Sequence, residues 1–177
     1  MIKKYDTLES TLIKRNPYWD YVLDKYVLPD GNEGEYHYVS SRGATLIIPS
    51  LGNNTFAMVR QYRYLNKRYS LEFPGGGIKQ GLAPEMNARE ELAEETGYLA
   101  GELSLIGEYN PYNGVTNEIC YIYYANRLTA DAANPEPSEE IGIVRLSKSD
   151  IVELIKRGEI WDGMTLAAWA LFVCRDF

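Results

Sequence analysis

Residues 84–97, PEMNAREELAEETG, restrict the fold more than any other stretch of this chain. Pro84 suits the first turn of a helix and Gly97 suits its left-handed end, so the sequence predicts a helix over 84–96. That helix carries Glu90, Glu91, Glu94 and Glu95 within six positions. Glu94 and Glu95 fall in the last turn, where the helix dipole disfavours anions. The pairs 90/94 and 91/95 are like-charge neighbours, each costing roughly 0.2–0.5 kcal/mol. A solvated acidic face is one reading; a bound cation is the other, and it reverses the sign of both penalties. At about 100° per residue, Ala88 and Leu92 share the buried face. Glu95 lies about 20° from Ala88, Glu91 about 60° to the same side, and Glu90 nearly opposite. Two carboxylates at the margin of a buried face call for a cation or a proton.

Around this helix the chain reads mostly as strands. YWDYVLDKYVL (18–28) and EYHYVS (35–40) flank the turn PDGNEG, as a hairpin does. Strands are expected at 44–50, 55–64, 69–73, 102–109, 118–126 and 141–146. A loop is expected at 130–140. Ser147 and Asp150 form a capping box opening a second helix that Gly158 closes, and an apolar helix covers about 164–174. Strands, one helix, strands and then helices make an α+β chain with a mixed sheet.

Composition narrows the function. The formal net charge of −7 argues against duplex nucleic acid as a partner, because that binding needs clustered cations. A phosphorylated small molecule is still compatible if a metal supplies local positive charge. No apolar run is long enough to cross a bilayer, and no apolar stretch follows the basic residues of MIKKYDTLES, which predicts no signal peptide. Cys120 and Cys174 have no metal or redox spacing and read as buried free thiols. A cytoplasmic protein is expected.

Just before the helix comes FPGGGIKQG. Three glycines let backbone approach a ligand and turn carbonyls toward it. With the glutamates they form an oxygen donor set suited to Mg²⁺ or Mn²⁺. GGIKQGLAPEMNAREELAEETGY resembles the Nudix box, aligned from Gly76 to Gly97 with Glu91, Leu92, Glu94 and Glu95 at its core. RQYRYLNKRYSLEFPGGG, PYNGVTNEI and the segment from 139 to 172 resemble the ADP-ribose and ADP-sugar pyrophosphatase branch of that family.

The resemblance implies a Nudix fold, an α/β/α sandwich with an added N-terminal hairpin. Residues 1–42 would form the strand region of a homodimer and 43–177 the hydrolase domain. It implies metal-dependent hydrolysis of a nucleoside diphosphate sugar, ADP-ribose first. Other diphosphate substrates, such as GDP-sugars, dinucleoside polyphosphates or coenzyme A derivatives, are the alternative. Glu91, Glu95 and the Gly75 carbonyl are then the metal ligands, with Glu94 on a further metal or its water. The base falls among Glu136, Glu139 and Glu140, with Glu139 preferred. Arg63 is expected on phosphate in preference to Arg60, since the two point to opposite faces of a strand. Glu118 is expected near metal or ribose, and Gly76 at the substrate. Trp19 and the N-terminal tyrosines are stacking candidates or interface residues; His37 has no expected role. The chain departs from the box twice: Leu82 replaces its early Glu, and Glu90 replaces the Arg that steadies the glutamates. Arg89 is adjacent but lies about 100° away around the helix. Glu90 therefore favours a rival reading, a binding module of low turnover.

Overall fold

The computed structural model describes residues 4–130 and 142–175. Ten strands and three helices are found among them. Strands β1 (Thr7–Arg15), β2 (Asp20–Val27) and β3 (Glu33–Ser40) form an antiparallel three-stranded sheet. A second, seven-stranded sheet has β4 (Ala44–Gly52) near its middle, between β5 (Thr55–Arg63) and β9 (Cys120–Ala130). Beyond β5 lies β10 (Gly142–Ser147), and beyond β9 lies β8 (Tyr98–Tyr109). Strand β6 (Arg68–Glu72) pairs with β5, and β7 (Gly75–Gly77) pairs with β4. The β4–β9 pair is parallel and its neighbours are antiparallel, so the sheet is mixed.

Alternation along β4 explains the layers. Ile47 faces α1 (Pro84–Thr96) and packs with Ala88, Leu92, Tyr123 and Ala125. Leu46 and Ile48 face the opposite side. There they join Phe56, Phe73 and Ile122 beneath Ile151 of α2 (Lys148–Lys156) and Trp169 and Phe172 of α3 (Gly163–Val173). Helix, sheet and helices thus stack as the expected α/β/α sandwich. Both predicted helix devices are present. Gly97 ends α1 at φ 65°, its N–H donating to the Ala93 carbonyl. Ser147 and Asp150 make a reciprocal capping box.

Three expectations need correction. Residues 75–77, expected as a glycine loop, form a short strand: Gly75, Gly76 and Gly77 pair with Leu46, Thr45 and Ala44. A Cβ on Gly75 would lie 2.1 Å from the Thr45 carbonyl oxygen, so only glycine permits this pairing. Strand β1 was not expected from the sequence at all. All nine of its residues are exposed, so no buried periodicity marks it. Cys174 is exposed, not buried, because α3 ends at Val173. Cys120 is buried as expected.

No helix among the described residues is long and apolar enough to cross a membrane. The three-stranded sheet meets the connection between β8 and β9 through a bridge between Val39 and Thr116 and through the Tyr36 hydroxyl, which donates to the Gly114 carbonyl at 2.9 Å.

Burial pushes the Cys120 thiol up to about 12, so it is a poor nucleophile at neutral pH. A thiol reagent at pH 8 should label one cysteine of the native protein, Cys174, and both after denaturation. Peptide mapping of the labelled sites checks this.

Candidate active site

The site is built where β7, the C-terminal half of α1 and the end of β5 meet. Gly75–Gly77 form one wall of a cleft of about 500 Å³. Thr45, Arg42, Arg63, Glu118 and Asp162 also line it. Helix α1 reaches this wall through its glutamates. Glu95 accepts a hydrogen bond from the Gly75 N–H at 2.9 Å. The Glu91 carboxylate lies so close to Gly76 that a Cβ there would fall 2.7 Å from its Oε2. These are the two residues placed by angle at the edge of the buried face. The Glu91 side chain is 13% exposed, against 41% for Glu90 and 42% for Glu94.

Two polar groups missing from the sequence reading hold this arrangement. Asn87 is fully buried on α1. Its Nδ2 donates to Thr45 Oγ1 at 2.9 Å, and its Oδ1 accepts from the Lys79 N–H at 3.0 Å. Helix, sheet and glycine strand are thereby tied through one side chain. Lys79 then extends its ammonium over the helix, with Nζ 2.9 Å from Glu94 Oε1, 3.2 Å from Glu90 Oε2 and 3.9 Å from Glu91 Oε1. Partial burial lowers its pKa, but hydrogen bonds to Glu94 and Glu90 outweigh this and raise it. The repulsion expected at Glu90 is therefore met by a cation from outside the helix. One signal for it was present: Lys79 is the only basic residue between Gly75 and Ala88.

Across the cleft, Arg63 pairs in a two-pronged contact with Glu72, which also accepts from Gln61 Nε2 at 3.2 Å. Glu72 is 3% exposed, and the bond to it raises the Arg63 pKa against desolvation. Arg60 points to the other face of the sheet, with its guanidinium 4.5 Å from the Tyr69 ring centre, and does not reach the cleft. Glu118 accepts from the Ser41 hydroxyl at 3.1 Å at the far end. Arg42 donates to the Ile78 carbonyl at 3.0 Å and brings a second guanidinium to the cleft. Tyr18 lines the cleft, while Trp19 lines a neighbouring cavity with Arg15. His37 stacks on Tyr21 in the N-terminal sheet, away from the cleft. Glu136, Glu139 and Glu140 lie outside the described residues.

The donor set fits a hard divalent cation. Carboxylates and main-chain carbonyls are oxygen ligands, and the glycine wall leaves a cradle for Glu91 that any Cβ would fill. Among the described residues, no three acidic, histidine or cysteine side chains converge as a complete ligand set. An ion here would draw the rest of its shell from other oxygen ligands.

A family profile described as NUDIX domain matches residues 40–168. The chain belongs to the Nudix family. It is a Nudix hydrolase, and its helix α1 is the Nudix helix with Glu90 in the place of the usual arginine. It is 29% identical over 166 residues to the ADP-ribose pyrophosphatase of Bacillus subtilis (strain 168), covering 90% of each chain. It is 32% identical over 137 residues to the GDP-mannose pyrophosphatase of Escherichia coli (strain K12), covering 73% of this chain and 72% of that one. The methanol dehydrogenase activator of Bacillus methanolicus is 29% identical over 148 residues, covering 82% of this chain and 80% of the other. A crystal structure of an ADP compounds hydrolase superposes with a TM-score of 0.83 at 19% identity, covering 97% of this chain and 94% of that one, which supports the fold.

The two glycines facing the glutamates should fail differently. Gly75→Ala drives a Cβ into backbone and should destabilise by about 1–3 kcal/mol or more. Gly76→Ala meets only the movable end of Glu91, so stability should hold while Glu91 is displaced. Urea unfolding midpoints together with Mn²⁺ binding separate the two.

Proposed function

We propose that this Nudix hydrolase cleaves the pyrophosphate bond of a nucleoside diphosphate sugar, ADP-ribose first, yielding a nucleoside monophosphate and a sugar phosphate. The observation that carries this is the seating of Glu91 and Glu95 on the glycine wall of a cleft that two arginines also line. The similarity to a pyrophosphatase for ADP-ribose over 90% of both chains supports the substrate class.

Glu91, Glu95 and the Gly75 carbonyl are the proposed ligands of Mg²⁺ or Mn²⁺, with Glu94 close by. Such an ion supplies charge neutralisation at the diphosphate and a more acidic water. Arg63 is prepositioned by Glu72 to meet phosphate oxygens, and Arg42 offers a second cation. Gly76, whose missing Cβ makes room for Glu91, is assigned to the substrate side of the wall. Glu118 is assigned to the metal or ribose end. The proton acceptor is assigned to Glu139, with Glu140 as its alternative, both outside the described residues. Arg60 takes no part in this proposal because it faces away. GDP-mannose is the second substrate reading, favoured by the relatives of that name at 32% identity. The low-turnover module loses its main support, since Lys79 neutralises the position that suggested it.

The enzyme is proposed to act in the cytoplasm, where its two free thiols are in keeping with a reducing compartment. It is proposed to be a homodimer formed through residues 1–42. Leu8, Leu12 and Ile13 on β1 are about half exposed, an apolar surface that a second copy would cover. Leu12→Glu should convert the dimer to monomer by light scattering; a parent protein that is already monomeric rejects that assignment.

A panel of ADP-ribose, ADP-sugars and GDP-mannose with Mg²⁺, reading released monophosphate, tests the activity. ADP-ribose should give the highest kcat/KM. Glu95→Gln should lower it by about 10²-fold or more with an unchanged unfolding midpoint. Turnover of none of these diphosphates refutes the hydrolytic assignment.

A further inference from the structure

In this chain the helix position where the Nudix pattern has arginine is an acid, Glu90, and the early box acid is Leu82. Neither member of an internal box ion pair is therefore available. Glu90 and Glu94 are nevertheless brought to one point, with the Lys79 ammonium between them at 3.2 and 2.9 Å. The same ammonium lies 3.9 Å from Glu91.

A chance surface pair has two free side chains. Lys79 instead has its backbone N–H fixed by the buried Asn87, which Thr45 fixes in turn. Its reach to the helix is set by the strand-to-helix connection and not by solvent.

We propose that Lys79 is the positioning residue of the glutamate helix, a cation supplied from the connection between β7 and α1 in place of an arginine at position 90. It holds Glu94 in register with Glu91 and makes Glu90 a partner instead of a source of repulsion. The structural part of this stands without the metal-site reading; the consequence for ion binding rests on it.

A thermodynamic cycle tests both parts. The parent, Lys79→Glu, Glu90→Arg and the double variant are melted in EDTA, free of metal. Lys79→Glu should lower Tm by about 2–4 °C. The same change in the Glu90→Arg background should cost nothing, because charges of opposite sign again face each other there. Equal losses in both backgrounds overturn the proposal.

Mn²⁺ binding without substrate, followed by electron paramagnetic resonance, separates positioning from simple charge. Lys79→Met removes a positive charge near the ion, and the loss of that Coulomb repulsion alone would tighten binding. If Lys79 positions Glu94, binding instead weakens by about tenfold, and Glu90→Arg restores it. Tighter or unchanged binding in Lys79→Met overturns the positioning role. A parent protein that binds no Mn²⁺ refutes the metal site, and the EDTA cycle still decides whether Lys79 is the counterion.

Discussion

The site depends on the contact between α1 and a strand made of three glycines. Backbone that carries no Cβ lets β7 lie close against β4 and lets two carboxylates come against its other side. Little within α1 itself secures that contact. Its N-cap, Ala83, makes no side-chain cap bond, and its last turn holds no basic residue. The helix is held by burial of Ala88 and Leu92 against the sheet and by Asn87. Most helical stability in proteins comes from such packing. Here packing also fixes the chemistry, because the residues that bury the helix set the angle at which Glu91 and Glu95 leave it.

The electrostatics follow from the same geometry. Four acids in six positions oppose helix formation by dipole and by mutual repulsion. The chain divides them into two pairs with different remedies. Glu91 and Glu95 lie against the glycine wall, where a main-chain N–H meets Glu95. Glu90 and Glu94 point outward and share the Lys79 ammonium. Exposed ion pairs contribute little singly, but one ammonium among several fixed carboxylates forms a network, where geometry counts for more. The acid at position 90 is thus tolerable in this chain because the connection between β7 and α1 carries a lysine.

Much of this was legible in local sequence. Pro84 and Gly97 bound α1 at the residues expected, because both act through their own backbone. The inward pair of glutamates followed from helical angle, and the opposed faces of Arg60 and Arg63 from strand parity. Features that depend on distant partners were hidden. The β7 strand exists because β4 offers it an edge, and nothing in GGG records that. Strand β1 buries no face, so it leaves no periodic trace. Asn87 reads as an ordinary polar helix residue until Thr45 and Lys79 are placed around it. Glu72 is likewise unremarkable in YSLEF until its burial beside Arg63 is seen.

The cleft therefore has two kinds of wall. The glycine wall and the glutamates seated on it come from one continuous segment, residues 75–95. Much of the remaining lining, Tyr18, Arg42, Arg63, Glu118 and Asp162 among it, comes from separated places in the chain. A continuous segment keeps its internal geometry when the remainder drifts, because its spacing is set by a helix and a short strand. Dispersed residues shift whenever the loops carrying them change length or direction. Relatives named for ADP-ribose and for GDP-mannose match this chain at similar identity, as expected if the first wall is common and the second decides the base and sugar. Under the proposed function, substrate choice would then fall to the dispersed residues, and to Tyr18 and Arg42 first, since they reach the cleft from the chain preceding β4.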